Sequence, residues 1–409
     1  VEGLKGSRMT DATRPALSTQ LIHHPYVPPS GFEAVPPGVF KASTVFFKNA
    51  EDLRQREWKD KSGYTYGLHG TPTTFILEER IATLEGGTYC VLAPSGLSAI
   101  ALVDLAFLRQ GDELLLPDNA YGPNKTLAEG ELKGWGITTR YYDPQNPAHL
   151  ASLITPATRL VWLEAPGSVT LEFPDLLGLV AQVQAANAQR GSQRPILTAL
   201  DNTWGAGIAF NGFDVGADIV MQALTKYPSG GADVLMGSIV TRNHDLHQAL
   251  LMTHMRLGLG VGANDAELVL RGLPSIQLRY QAQDQATRAL AQWMQTRPEV
   301  ATVLHPALPD SPGHAHWQQV SASGAGCLFS VVFDAPYTQR QVDAFCDALQ
   351  LFHLGWSWAG PISLCAPYHI PSMRQLTWPH QGGLVRFAIG LESIADLQAD
   401  ITQALRVFR

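Results

Sequence analysis

The chain has 409 residues, of which 45% are hydrophobic and 16% charged, a balance that excludes disordered and fibrous classes and leaves room for two or three domains. Twenty-nine basic against 36 acidic residues give a net charge of −7, and no dense Lys/Arg run offers a basic patch, so a nucleic-acid protein is not expected. Four scattered cysteines, Cys90, Cys327, Cys346 and Cys365, without a CxxC pair, predict neither a disulfide framework nor a cysteine zinc site, but a reducing, cytoplasmic setting.

Residues 1–8, ahead of Met9, read as an extraneous remnant. No apolar leader follows, and the longest run without Asp, Glu, Lys or Arg, residues 348–373, contains Pro361, Pro367 and Pro371. It predicts a buried or cavity-lining segment, and no membrane association. Residues 9 to about 70 are proline-rich and without apolar period, an arm expected to lie against something else. Thr71-Pro72 predicts a helix start, with Leu77, Ile81 and Leu84 on one face and Gly86-Gly87 ending it.

Strands and helices then alternate. Strands are expected at 88–93, 113–116, 138–142, 159–163, 196–200 and 219–222, with helices at 97–108 and 176–189. This is an α/β pattern, a mostly parallel sheet between helices. A long helix at 277–295 leads to a smaller α+β C-terminal domain with strands at 328–333 and 384–389. The expected division is an arm over 1–70, a ligand-binding domain over 71–272 and a C-terminal domain over 273–409.

Ligands in such sheets sit beyond the carboxyl ends of the strands, so the residues there carry the chemistry. Pro94-Ser95-Gly96-Leu97-Ser98 opens a helix: its free N–H groups suit a phosphate, or Ser95 is simply a cap. Asp201 ends one strand and either faces the crevice or caps the next turn. Lys226 follows another and is either a solvated charge or, if desolvated, an amine able to bond a carbonyl carbon. Arg386, inside an apolar strand, points outward or grips a carboxylate with its guanidinium fork. The Tyr121 ring stacks on a planar ligand or packs in a loop. Together these are the working parts of a pyridoxal-phosphate enzyme acting on amino acids. His23-His24 and His314/His316 lack further ligands at metal-site spacing, so no metal is expected.

The chain resembles the Cys/Met-metabolism family of fold-type-I pyridoxal-phosphate enzymes from about Pro37 onward. The resemblance is carried by Tyr66-Gly67-Leu68-His69-Gly70-Thr71-Pro72-Thr73, Leu84-Glu85-Gly86-Gly87, Asp201-Asn202-Thr203-Trp204, Thr225-Lys226-Tyr227 and Arg386-Phe387-Ala388-Ile389-Gly390. It implies a fold-type-I transferase-like fold and pyridoxal 5'-phosphate as cofactor. Lys226 is then the lysine bonded to it, Asp201 the partner of its ring nitrogen and Tyr121 the stacking residue. Gly96, Leu97 and Thr225 become phosphate donors, and Arg386 the binder of the substrate carboxylate. Tyr66 belongs to an arm reaching a neighbouring subunit's cofactor and substrate, which implies a homotetramer built from catalytic dimers. Ser357 and Trp358, in Ser357-Trp358-Ala359-Gly360, shape the substrate pocket and favour the branch that cleaves the β C–S bond of L-cystathionine. The γ-cleaving and γ-synthesising branches, a lyase of broader cysteine conjugates and a non-catalytic regulator remain alternatives. Two positions depart from the family pattern: Leu68 stands where an arginine is usual, and Ile362 where many relatives carry glutamate.

Overall fold

A computed structural model of the chain describes residues 15–24, 26–191, 194–321 and 324–408, so the segment 1–8 lies outside the described residues. The arm is sparse in regular structure. It has helical turns at Leu17–Ile22, Ala50–Arg54 and Gly67–His69 and one bridge between Thr44 and Tyr66. The first turn had no period to announce it, yet it buries Leu21 in the core.

Local chemistry explains the first long helix, Pro72–Glu85. The Thr71 side chain accepts from Thr74 N–H and the Thr74 hydroxyl accepts from Thr71 N–H, a reciprocal cap. Pro72 occupies the first turn, where no N–H partner is lost. Gly86 stops the helix in the left-handed conformation at φ 69°.

Seven strands form the larger sheet: β1 (Tyr89–Ala93), β2 (Glu113–Pro117), β3 (Thr138–Tyr142), β4 (Thr158–Glu164), β5 (Leu197–Asp201), β6 (Ile219–Ala223) and β7 (Gly237–Thr241). Their order is β1-β7-β6-β5-β4-β2-β3. Every pairing is parallel except those of β7 with β1 and β6. Side chains alternate between two cores: Leu160 and Trp162 face the helix Gly96–Phe107, while Val161 and Leu163 face the side of Leu77, Ile81 and Leu179. Burial on both faces is why these strands read as continuous apolar runs. β7 escaped the sequence reading because Gly237, Ser238 and Thr241 leave only Ile239-Val240 as an apolar run, although all five residues are buried. Asp201 proves to be the last residue of β5 rather than the first beyond it.

The smaller sheet contains β8 (Val300–Leu304), β9 (Leu328–Phe333), β10 (His353–Leu354), β11 (Leu364–Tyr368) and β12 (Leu384–Ala388), ordered β10-β11-β12-β9-β8. It is antiparallel apart from β10 with β11. Phe329 and Phe387 stack with ring centroids 5.0 Å apart at its centre, and the long helix Ile276–Met294 packs on this core through Leu290 and Met294. The charge-free run is divided: Cys365 and Ala366 are buried in β11, while Trp356 is 81% exposed.

Candidate active site

A cavity of about 440 Å³ opens at the carboxyl ends of β2, β4, β5 and β6. Each of these four strands delivers a residue to it: Tyr121 after β2, Glu164 at the end of β4, Asp201 at the end of β5 and Lys226 after β6. β12 supplies Arg386 from the smaller sheet.

One end of the cavity is a helix N-terminus. Ser95 caps the helix Gly96–Phe107 by accepting from Ser98 N–H at 3.0 Å. The N–H groups of Gly96 and Leu97, in the first turn, have no intrahelical carbonyl to meet and suit an anion. Glycine at 96 is required by packing, because a Cβ there would fall 2.8 Å from Ala223 Cβ. The Thr225 hydroxyl lies in the same wall, engaged with Met236 N–H at 3.2 Å.

Deeper in, Lys226 Nζ donates to Ser357 Oγ at 2.9 Å and lies 5.3 Å from the Trp358 ring centroid. Burial, with the nearby Arg386 charge adding to it, pushes the Lys226 ammonium down to about 8. Asp201 accepts from Thr203 N–H at 2.9 Å, and burial raises its carboxyl. A cation placed beside this desolvated carboxyl would draw it back down and hold it charged. Glu164 stands beside Asp201 in register, and accepts from Tyr121 N–H at 2.8 Å. Burial, and then the neighbouring Asp201, push the Glu164 carboxyl well above the usual carboxylate range.

Arg386 is 5% exposed and has no ion-pair partner among the described residues. Its guanidinium makes only long contacts, at 3.4 Å each, to the carbonyls of Ser168 and Trp356, and sits 5.4 Å from the Tyr368 ring. A buried cation held this loosely is suited to a carboxylate ligand.

The structure therefore brings Gly96, Leu97, Tyr121, Asp201, Thr225 and Lys226 to one cavity with Trp358 and Arg386, and Ser357 touches it through Lys226. Tyr66 stands apart: it is half-exposed on the arm, paired with Thr44 and edge-on to His69, and does not line this chain's cavity. Glu164 was missed by the sequence reading, although the strand-end argument applied to Asp201 would have found it. Tyr368 and Met373 also line the wall, and nothing local in the sequence marks Met373. His314 Nδ1 lies 2.8 Å from the Pro306 carbonyl and His316 Nδ1 lies 3.7 Å from Asp175. Among the described residues no three His, Cys, Asp or Glu converge on a metal-sized site.

A helix N-terminus with free first-turn N–H groups, a strand-end acid, a desolvated lysine and an exposed tyrosine ring fit the phosphate, ring nitrogen, aldehyde and ring face of pyridoxal phosphate in turn. Fold and cavity together define a fold-type-I pyridoxal-phosphate enzyme. The chain belongs to the Cys/Met metabolism PLP-dependent enzyme family, which it matches over residues 18–406. It is 38% identical over 409 residues to the cystathionine beta-lyase of Bordetella avium, covering 97% of this chain and 99% of that one. Over 390 residues it is 34% identical to the cystathionine beta-lyase MetC of Escherichia coli (strain K12), covering 94% and 97%. Among solved structures, metB from Corynebacterium glutamicum superposes with a TM-score of 0.87 at 28% identity, over 98% of this chain and 100% of that one. The cystathionine gamma synthase from Xanthomonas oryzae pv. oryzae, in complex with aminoacrylate and cysteine, gives 0.85 at 30% identity, over 97% and 99%.

Proposed function

We propose that this enzyme is a cystathionine β-lyase. It breaks the β C–S bond of L-cystathionine, releasing L-homocysteine and a three-carbon remainder that ends as pyruvate and ammonia. The observation that carries this reading is the meeting of Lys226 with Ser357 and Trp358 in the cavity that Arg386 closes. The two β-lyases at 38% and 34% identity support it.

Lys226 would bond the cofactor, with Asp201 on its ring nitrogen, Tyr121 on its face, and Gly96, Leu97 and Thr225 at its phosphate. The bound cofactor supplies an electron sink for the substrate's α-carbon. Arg386 receives the α-carboxylate in its fork, which orients the α-proton. Lys226, with its ammonium near 8, takes that proton as a base close to neutral pH. Tyr121 keeps its hydroxyl proton, since burial and the charge of Asp201 hold it above the ordinary phenol range. Lys226 and Tyr121 are thus the two proton carriers for the departing sulfur, and Ser357 and Trp358 set the position of the lysine.

The assembly belongs to the same proposal. Phe32, Val35 and Phe46 on the arm are exposed, the last two at 96% and 93%, more apolar surface than a free arm keeps. In our reading the arm, residues 1–70, carries Tyr66 to a neighbouring subunit's cofactor in a homotetramer of catalytic dimers. Residues 71–272 hold the cofactor, and 273–409 form the C-terminal domain. Four free, buried cysteines accord with the cytoplasm, and among the described residues no helix is long and apolar enough to cross a membrane.

A second reading, cleavage or exchange on the γ side, is favoured by the likeness to the Xanthomonas oryzae gamma synthase. Incubating the holoenzyme with L-cystathionine decides between them. Pyruvate with homocysteine is expected; 2-oxobutyrate with cysteine would overturn the β assignment.

A further inference from the structure

Two buried carboxylates behind the cavity hold one strap of the C-terminal region. Asp118, just past β2, has no exposed side-chain surface. It accepts from the backbone N–H of Gln375 at 2.9 Å and of Leu376 at 2.7 Å. Lys125 Nζ donates to the carbonyls of Asp118 at 2.9 Å and Met373 at 2.7 Å. Glu172, in the loop after β4, accepts from Asn119 Nδ2 at 2.8 Å and Thr170 Oγ1 at 2.7 Å on one oxygen, and from Arg374 Nη1 at 2.9 Å on the other. Arg374 Nε lies 3.7 Å from Asp118 Oδ2. Two cations therefore neutralise two anions away from water, and of the two it is Arg374 that reaches both carboxylates.

This cluster touches the site from two directions. Met373, one residue before Arg374, lines the cavity. The loop of residues 166–171 hangs on the same Asn119–Glu172 unit: Gly167 N–H donates to the Glu172 carbonyl and Ser168 N–H to the Asn119 carbonyl, each at 3.0 Å. A Cβ on Gly167 would collide with Asn119 Nδ2, so the fit is close. The Ser168 carbonyl in turn is one of the two that face the Arg386 guanidinium. Contacts run without a break from Arg374 through Glu172, Asn119 and Ser168 to Arg386.

We infer that Arg374 is a positioning residue for the substrate's carboxylate. By neutralising Glu172 and Asp118 it seats Met373 in the cavity wall and holds the 166–171 loop where Ser168 orients Arg386. Without Arg374, Glu172 is a buried charge lacking its counter-ion and must turn to water or take a proton. Either response disturbs its bonds to Asn119 and Thr170. The inference rests on Arg386 as the carboxylate binder, part of the function proposed above, but not on which amino acid is cleaved.

The test uses the holoenzyme and L-alanine, which carries an α-carboxylate and no leaving group, followed by the change in cofactor absorbance. Arg374→Met is expected to raise the L-alanine Kd, and KM for L-cystathionine, about 10-fold or more, with kcat within about 3-fold of the parent. Hydrogen exchange should quicken in 166–171 and 373–376, and Arg374→Lys should restore part of the affinity. If Arg374→Met does not fold, the pair Glu172→Gln with Arg374→Met removes both charges and is expected to fold yet bind L-alanine weakly. Folded variants that bind L-alanine as the parent does, with only a lower Tm, would overturn the inference. Weakened L-alanine binding in an enzyme that does not cleave L-cystathionine would uphold it while the proposed substrate fell.

Discussion

Lys226 Nζ and Ser357 Oγ, 131 positions apart in the chain, lie 2.9 Å from each other. The bond ties the turn after β6 to the segment between β10 and β11, so the base on one sheet is aimed by a residue of the other. Ser357→Ala removes the acceptor and leaves the lysine only the Trp358 face. A fall in kcat of about 10-fold is expected, with cofactor still bound, whereas Lys226→Ala should lower turnover by more than about a thousandfold and remove the cofactor's imine absorption. Stopped-time product assays and absorbance spectra of both variants check this.

Gly96 sits where helix and sheet touch, and its missing Cβ is what lets the helix N-terminus approach β6. Gly96→Ala should displace the first-turn N–H groups from the phosphate position. Titration of apo-enzyme with pyridoxal phosphate is expected to show a Kd raised by about 10-fold or more, costing roughly 1.4 kcal/mol. An unchanged Kd would place the phosphate elsewhere.

Leu68 is partly buried beside Gly260 and leaves the arm without the cation usual at that position. If the arm of one subunit completes the phosphate site of another, Leu68→Arg supplies a missing charge-assisted contact. Tighter cofactor binding, by about 3-fold or more, is the expected outcome of the same titration. No tightening would show that charge at this position does not limit binding.

Asp104 offers a pH signature independent of catalysis. It is buried under the sheet, with Oδ1 accepting from Trp162 Nε1 at 2.8 Å and Oδ2 without a hydrogen-bond partner among the described residues. Burial pushes its carboxyl up to about 7, whereas the unfolded chain releases that proton near 4. Between about pH 4 and 7 the folded state holds a proton the unfolded state has lost, so stability falls as pH rises through that window and levels off above it. Asp104→Asn imitates the protonated form and should not show this fall. Thermal unfolding at pH 5 and pH 8 should separate the two proteins by on the order of 2 kcal/mol at the higher pH.

The elements the sequence announced were those with a local cause. The Thr71-Pro72 start, the glycine stop at Gly86 and the buried runs of β2, β4 and β6 are signals spanning a few residues, and they were legible for that reason. So were Asp201 and Lys226, because a parallel sheet presents whatever follows its strands to the crevice. Glu164 obeys the same rule: like Asp201, it is the last residue of a strand whose apolar pattern stops one position earlier.

Tertiary structure alone decided the rest. The antiparallel insertion of β7 between β1 and β6 depends on pairing partners more than a dozen residues away, and its five residues carry no period of their own. Ser357 beneath Lys226, Met373 in the cavity wall and Arg374 between Asp118 and Glu172 join segments separated by 131 to 256 positions. The sequence by itself determined which residues had the chemistry for the reaction. Their distances and protonation states came only with burial, since it takes the packed sheets to exclude the water that would otherwise leave each charge at its ordinary value.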